Sequence, residues 1–307
     1  DLVRSRGLGD VYKRQEPIFM DSDADFNIDI EKTIKFIKEE THIKEEDDIL
    51  YCLNNKTGKK IKAIIVVHVF GNAIYLDELK KICDEKNIKI IEDASESLGS
   101  TFAQGKYAGA HTGTVGDFGC LSFNGNKIIT CGSGGVILTQ DKVLAEKAKY
   151  LTTQAKDDQE RFIHGAVGYN YRMSNVQAAI GCAQLETLED RVKKKHYIHD
   201  FYEDNLLEND RFDIHSSPIH SQSNYWLILL KIKGDHLDAL SLMHKFKEAQ
   251  IETRPVWHLN HKQKPYLNSQ TYLIDNAQKL VDSSLCLPSS IDLTQQDMKR
   301  VLEVLNG

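Results

Sequence analysis

Apolar positions along this chain change period several times. Between about Asp29 and Glu40, Ile30, Ile34 and Ile37 recur at helical spacing, which predicts a helix. "KAIIVVHVFG" (62–71) is a continuous apolar run ending in glycine, the pattern of a strand covered on both faces. "YLDELKKICDEKN" (75–87) returns to helical spacing through Leu76, Leu79 and Ile82, and "IKIIEDAS" (88–95) reads as the next strand. Strand, helix and strand in this order make a βαβ unit, so the two strands are expected to be parallel neighbours joined by a right-handed crossover. Sheets of this kind gather their sites at the carboxyl ends of the strands.

Two further strands, "DFGCLSF" and "GGVILT", flank Lys127, and a helix opens on Asp141 (141–151). A long helical pattern runs from Ser174, a candidate N-cap, to about Asn209. The remainder alternates a strand (224–234), a helix (236–250), a loop holding Pro255 and Pro265, and a last helix from about Thr294. From Glu16, "EPIFM" begins with a strand. The first fifteen residues, "DLVRSRGLGDVYKRQ", follow neither period and resemble a translated adaptor, so residues 1–15 are expected to be a non-native segment. The pattern as a whole predicts an α/β chain with a large domain over 16–195 and a smaller C-terminal α/β domain over 196–307.

Composition narrows the class. The 307 residues are 41% hydrophobic and 27% charged, as in globular proteins, and the net charge of −6 argues against a large nucleic-acid footprint. No apolar run approaches the roughly 20 residues that span a bilayer, so membrane insertion is not expected. Six scattered cysteines without a CxxC pair read as free thiols in a reducing cytoplasm.

Asp93 ends an apolar strand and is followed by Ala94, Ser95, Ser97 and Gly99, small residues that let a ligand approach the backbone. Lys127 lies between two apolar strands, where partial burial would lower its pKa and make the amine a useful nucleophile. "NGNKI" lacks the glycine spacing and the following Ser or Thr of a phosphate loop, and no GxGxxG follows a strand. A strand-end carboxylate, a lysine beside a glycine-rich turn and a hydroxyl, Ser122, five residues before it form the set that pyridoxal phosphate needs. His196 with His199, and His258 with His261, stand three apart, but no third ligand supports a metal site. They are expected to be structural or solvated, with His258 and His261 alternatively lining a substrate site.

"IIEDASESLGS", "GDFGCLSFNGNKIITCGSGG" and "VGYNYRMSNVQAAIGCAQLE" together resemble the DegT/DnrJ/EryC1/StrS nucleotide-sugar aminotransferases, pyridoxal-phosphate enzymes of aspartate-aminotransferase fold (fold type I). The likeness runs from Glu16 to the end of the chain. It implies a mostly parallel central sheet with helices on both faces. It also implies an N-terminal part outside this chain, which would supply backbone donors and a stacking aromatic to the cofactor. On that reading the chain alone would bind cofactor poorly and aggregate. "SFNGNKIIT" and "YLTTQAKDD" are most similar to the branch that aminates C4 of UDP-linked 4-keto-6-deoxy-N-acetylhexosamines, with glutamate as amino donor, for surface polysaccharide or nonulosonic acid synthesis. A GDP-perosamine synthase type is the near alternative. A pyridoxal-phosphate sugar dehydratase would replace Lys127 by histidine, and a non-catalytic relative would lose Asp93 or Lys127.

The resemblance implies roles for individual residues. Lys127 would hold the cofactor and shuttle the proton, Asp93 would pair with the pyridinium, and Ser122 would bind the phosphate. Glu96 stands where many relatives have glutamine near the cofactor's phenolic oxygen, which a carboxylate would repel. Asn170 would reach the phosphate of a neighbouring subunit, so the active unit would be a homodimer with shared sites. Arg172 and Trp257 would contact the sugar nucleotide.

Overall fold

A computed structural model describes residues 15–158, 160–234 and 238–307. The expected adaptor, apart from Gln15, lies outside the described residues, as do residues 236 and 237 at the start of the helix expected over 236–250. After a short strand at Ile18–Met20, helix α1 (Ile30–Glu39) starts where the Asp29 carboxylate accepts the Lys32 amide, and it buries Ile34, Phe36 and Ile37. A three-stranded antiparallel ribbon over Thr41–Glu46, Ile49–Asn54 and Lys60–Ile61 follows, which the apolar periodicity did not reveal.

The central sheet comes next. Strand β1 (Ala63–Val67), helix α2 (Asp77–Glu85) and strand β2 (Lys89–Asp93) form the expected parallel βαβ unit. Strand β3 (Phe118–Ser122) continues it in parallel, and β4 (Gly135–Leu138) closes the edge antiparallel to β3, giving the order β1-β2-β3-β4. The apolar run 62–71 is shorter as a strand than its sequence suggests. After Val67 it turns through Phe70 at φ 57° and Gly71 at φ 100°. A Cβ on Gly71 would lie 2.0 Å from Asn224 Oδ1, so only glycine fits there.

The expectation that β1 is covered on both faces is also corrected. One face of the sheet buries Val66 and Ile90 against Leu79, Ile82 and Cys83 of α2. On the other face Ile65 and Ile137 remain 48% and 50% exposed, because among the described residues no element lies over them.

Helix α3 (Lys142–Thr152) is capped by Asp141 as expected. The long helical pattern then divides into α4 (Asn175–Leu185) and α5 (Leu188–Leu206). Ser174 caps α4 with a reciprocal capping box to Gln177. The break falls where the Thr187 hydroxyl turns back 2.9 Å onto the Gln184 carbonyl, a side-chain bond that competes with the helical ladder.

Residues 207–307 add strand β5 (Phe212–Ile214), strand β6 (Ile228–Ile232), helix α6 (Ala239–Glu248), strand β7 (Arg254–Pro255), strand β8 (Ser284–Leu287) and helix α7 (Gln295–Asn306). The strands form an antiparallel sheet in the order β5-β6-β8-β7. Ile228, Leu230 and Ile232 bury one face of β6 against α5, α6 and α7, while Leu229 faces a second cluster with Phe26, Phe70, Ile128 and Trp226. That second cluster joins the two sheets. Helix α5 runs unbroken through the expected boundary at 195/196.

Candidate active site

Strand alternation decides the placement of the first two site residues. Asp93 pairs with Cys120 across β2 and β3, and Cys120 pairs with Ile137 of β4. Side chains two apart on a strand share a face. Asp93, Ser122, Ile65 and Ile137 therefore stand on the same face, the open one, with Asp93 and Ser122 at the carboxyl ends of adjacent parallel strands. Asp93 Oδ1 accepts the Ser95 amide at 3.1 Å, and Ser122 Oγ accepts the Asn124 amide at 3.4 Å. Three residues past Asp93, Glu96 is buried and its Oε2 accepts the Phe70 amide at 2.9 Å. That bond ties the loop after β2 to the turn after β1.

Lys127 is half-buried on the turn between β3 and β4. Its Nζ lies 4.1 Å from the ring centroid of Trp226, close enough for a cation–π contact. The Trp226 indole donates from Nε1 to the Asn126 carbonyl at 2.8 Å, so the same ring is bonded to the turn whose lysine it carries. Trp257 continues the aromatic row, 6.4 Å from Trp226 and 5.8 Å from Phe70 between ring centroids.

Several buried polar residues beneath these groups escaped the sequence reading. Glu92 and His68 are fully buried and meet at 2.8 Å. His68 Nδ1 accepts the Ile74 amide, so Nε2 carries the proton and donates it to Glu92. Glu92 also accepts the amides of Gly113, Val115 and Gly116, at 2.8, 2.6 and 2.5 Å. Burial pushes the Glu92 pKa up, but the His68 bond and these amides outweigh it and hold the carboxyl below its usual range. Asn224 donates to the carbonyls of Glu96 and Leu98 and accepts the Trp226 amide, which fixes the start of β6 against the loop after β2. Lys195, buried on α5, donates to the carbonyls of Trp226 and Ser289. Its pKa is lowered to about 8 by burial. "ED" holds Glu92 and "SNYW" holds Asn224, but nothing local in either stretch signals a long-range bond.

The remaining expected site residues lie apart from this group. Asn170 bridges to Thr153, and both Asn170 and Arg172 are exposed on the segment leading into α4. This segment meets the glycine-rich turn, where Gln177 Nε2 donates to Ser133 Oγ at 2.8 Å. Around it Val167, Tyr171 and Val176 are 81%, 72% and 70% exposed. All six cysteines are unpaired, as expected, and burial pushes the Cys83 and Cys286 thiols up to about 12.

The model of the DegT/DnrJ/EryC1/StrS aminotransferase family matches residues 11–306. The chain belongs to this family. It is 33% identical to EpsN of Bacillus subtilis (strain 168), provisionally named a pyridoxal phosphate-dependent aminotransferase, over 96% of this chain and 72% of that protein. It is 32% identical to the GDP-perosamine synthase of Escherichia coli O157:H7, covering 96% of this chain and 73% of the relative. It is also 28% identical to the UDP-4-amino-4,6-dideoxy-N-acetyl-beta-L-altrosamine transaminase of Campylobacter jejuni (strain 81-176), covering 88% and 71%. The fold matches the aminotransferase TlmJ of Streptoalloteichus hindustanus with a TM-score of 0.82 at 23% identity, over 96% of this chain and 73% of that one. The chain is thus a sugar-nucleotide aminotransferase of the family, with pyridoxal phosphate as its cofactor and the fold that the motifs implied. Among the described residues no helix is long and apolar enough to cross a membrane.

Proposed function

We propose that the enzyme aminates C4 of a nucleoside-diphosphate-linked 4-keto-6-deoxy sugar, a UDP-linked N-acetylhexosamine, with glutamate as amino donor. The observation that carries the site assignment is the shared face of Asp93 and Ser122 at adjacent strand ends, with Lys127 on the turn that follows. The donor set fits pyridoxal phosphate: an amine for the carbonyl carbon, a carboxylate for the protonated ring nitrogen and a hydroxyl for the phosphate. When bound, the cofactor supplies an electron sink for the carbon that loses its proton.

The chain's own residues do the rest. Lys127 would hold the cofactor through its carbonyl carbon, and its Nζ would carry the proton that moves between carbon atoms. Trp226, whose ring centroid lies 4.1 Å from Nζ, would orient that amine. Asp93 keeps the ring nitrogen protonated, and Ser122 orients the phosphate. Glu96, bonded to the Phe70 amide, positions the turn after β1. Arg172 and Trp257 bind the sugar nucleotide. Asn170 acts in the site of a second copy, which the exposed apolar side chains around it support, so the active form is a homodimer. The large domain over 16–195 would hold the cofactor, and the small domain over 196–307 brings Trp226 to Lys127.

A second reading, a GDP-linked substrate, is supported by the likeness to GDP-perosamine synthase. The test uses the chain loaded with pyridoxal phosphate, alongside Lys127→Ala, with UDP- and GDP-linked 4-keto-6-deoxy sugars and glutamate. Absorbance near the visible edge in the parent and its loss in Lys127→Ala is the expected result. Turnover with the UDP sugar alone supports the first reading. Turnover with the GDP sugar alone establishes the second. An unchanged spectrum in Lys127→Ala overturns the assignment of the lysine.

A further inference from the structure

Away from the site just described, α5 carries a group that the sequence spacing of its histidines concealed. His199 pairs not with His196 but with Asp200 and Glu203, and one ligand atom of each lies within 4.8 Å of the other two. His196 instead meets the Ser223 carbonyl at 2.8 Å. The third ligand that was missing along the chain is therefore supplied by carboxylates on the same helix.

The surroundings of His199 point to what binds there. Its ring is 1% exposed and stacks on Tyr225, with centroids 3.8 Å apart and planes at 18°. Nε2 lies 3.3 Å from the His215 carbonyl and Nδ1 lies 3.1 Å from Asp200 Oδ1. Both ring nitrogens thus face oxygen acceptors, whereas a neutral imidazole has one N–H. With Nε2–H on the carbonyl, Nδ1 faces the Asp200 carboxylate at 3.1 Å, a position from which the ring can hold a proton or a metal ion between the two. A hydrogen bond from the far ring nitrogen to a carbonyl is the usual way in which a metal-binding histidine is oriented. Two ligands of one ion, at about 2.1 Å each, lie about 3.0–3.4 Å apart, which matches the His199–Asp200 separation. The Ser216 hydroxyl orients Glu203 from the opposite side by donating to Oε1. Among the described residues, no lysine or arginine pairs with either carboxylate to neutralise it.

We propose that His199, Asp200 and Glu203 form a binding site for a divalent transition-metal ion of the zinc class. One imidazole and two carboxylates suit such an ion better than magnesium or calcium, which prefer all-oxygen shells. Water completes the coordination on the exposed side, where Asp200 is 63% accessible. The ion would hold His199 and Glu203 in the orientations in which they already meet the His215 carbonyl, the Ser216 hydroxyl and the Tyr225 ring, on the segment that leads into Trp226. This inference does not depend on the substrate or on the role of Lys127.

The test is a titration of the whole chain, stripped with chelator, with Co²⁺ and Zn²⁺, followed by calorimetry and by the visible absorbance of Co²⁺. Asp200→Asn and Glu203→Gln serve as variants, since both keep the shape of the side chain and neither residue is fully buried. The expected result is one ion per chain, a rise in the unfolding temperature on binding, and an affinity at least about tenfold weaker in each variant. His258→Gln, outside the group of three, leaves binding unchanged. Absence of binding by the parent overturns the proposal. So does binding of equal affinity in both variants, which would place the ion on other histidines.

Discussion

The two four-stranded sheets of this molecule use apolar strands differently. In the antiparallel sheet of the C-terminal half, β6 is covered on both sides: Ile228, Leu230 and Ile232 face the helices, and Leu229 faces the cluster that holds Trp226. In the parallel sheet only one side is covered, and Ile65 and Ile137 stand open beside Asp93 and Ser122. Strands β1 and β6 read alike in sequence, as the short aliphatic runs AIIVV and ILLKI. The difference shows that an apolar run announces a strand but not what covers it. In the parallel sheet the uncovered face is the one that carries the candidate chemistry.

The sharpest way to break this comparison is to truncate each sheet in turn. Phe246→Ala, behind the covered sheet, is expected to cost about 3–5 kcal/mol in denaturant unfolding. An equal cost for Ile137→Ala on the open face would mean that the open face is in fact packed. Glu92→Gln tests the covered side of the parallel sheet. Glutamine keeps one acceptor and loses the other, leaving buried amides unmatched at about 1–3 kcal/mol each. Because the Glu92 carboxyl is held below its usual range, its stabilisation is complete above the unfolded pKa and is lost as pH falls through the folded one. The parent should therefore lose part of its stability below about 4.5 in acid unfolding, and Glu92→Gln should not show that component.

A smaller effect distinguishes the joint between the sheets. The Lys195 amine titrates at about 8 in the folded chain against 10.5 in the unfolded one. Between these values the unfolded chain binds the extra proton, so stability rises with pH across that window. Thermal unfolding of Lys195→Met should lack this rise, and a parent curve that stays flat from pH 8 upward would refute it. Least of all, Ile137→Thr should change stability by no more than about 0.5 kcal/mol. It should nonetheless reduce self-association in light scattering, because it removes apolar surface from an open face.

Much of the fold was legible from local patterns. The caps at Asp29, Asp141, Ser174 and Thr294, the helical spacing of α1 and α2, and the βαβ order of 63–93 were all present in short windows, because caps and periodicity act within a few residues. The three quoted motifs likewise named the family that the whole-chain comparison then showed.

What only the tertiary structure decided depends on residues far apart in the chain. Trp226 stands under Lys127, which lies ninety-nine positions earlier, only because β6 meets the turn after β3. His68 and Glu92 meet in a buried hydrogen bond because β1 and β2 are parallel neighbours in one register. The expected covering of β1 failed, and one long helix became two, because burial and a side-chain bond at Thr187 overrode periodicity. Periodicity and motif record which side chains a segment carries. Which of them meet is set by packing across the whole chain, and that information is held by no single window of the sequence.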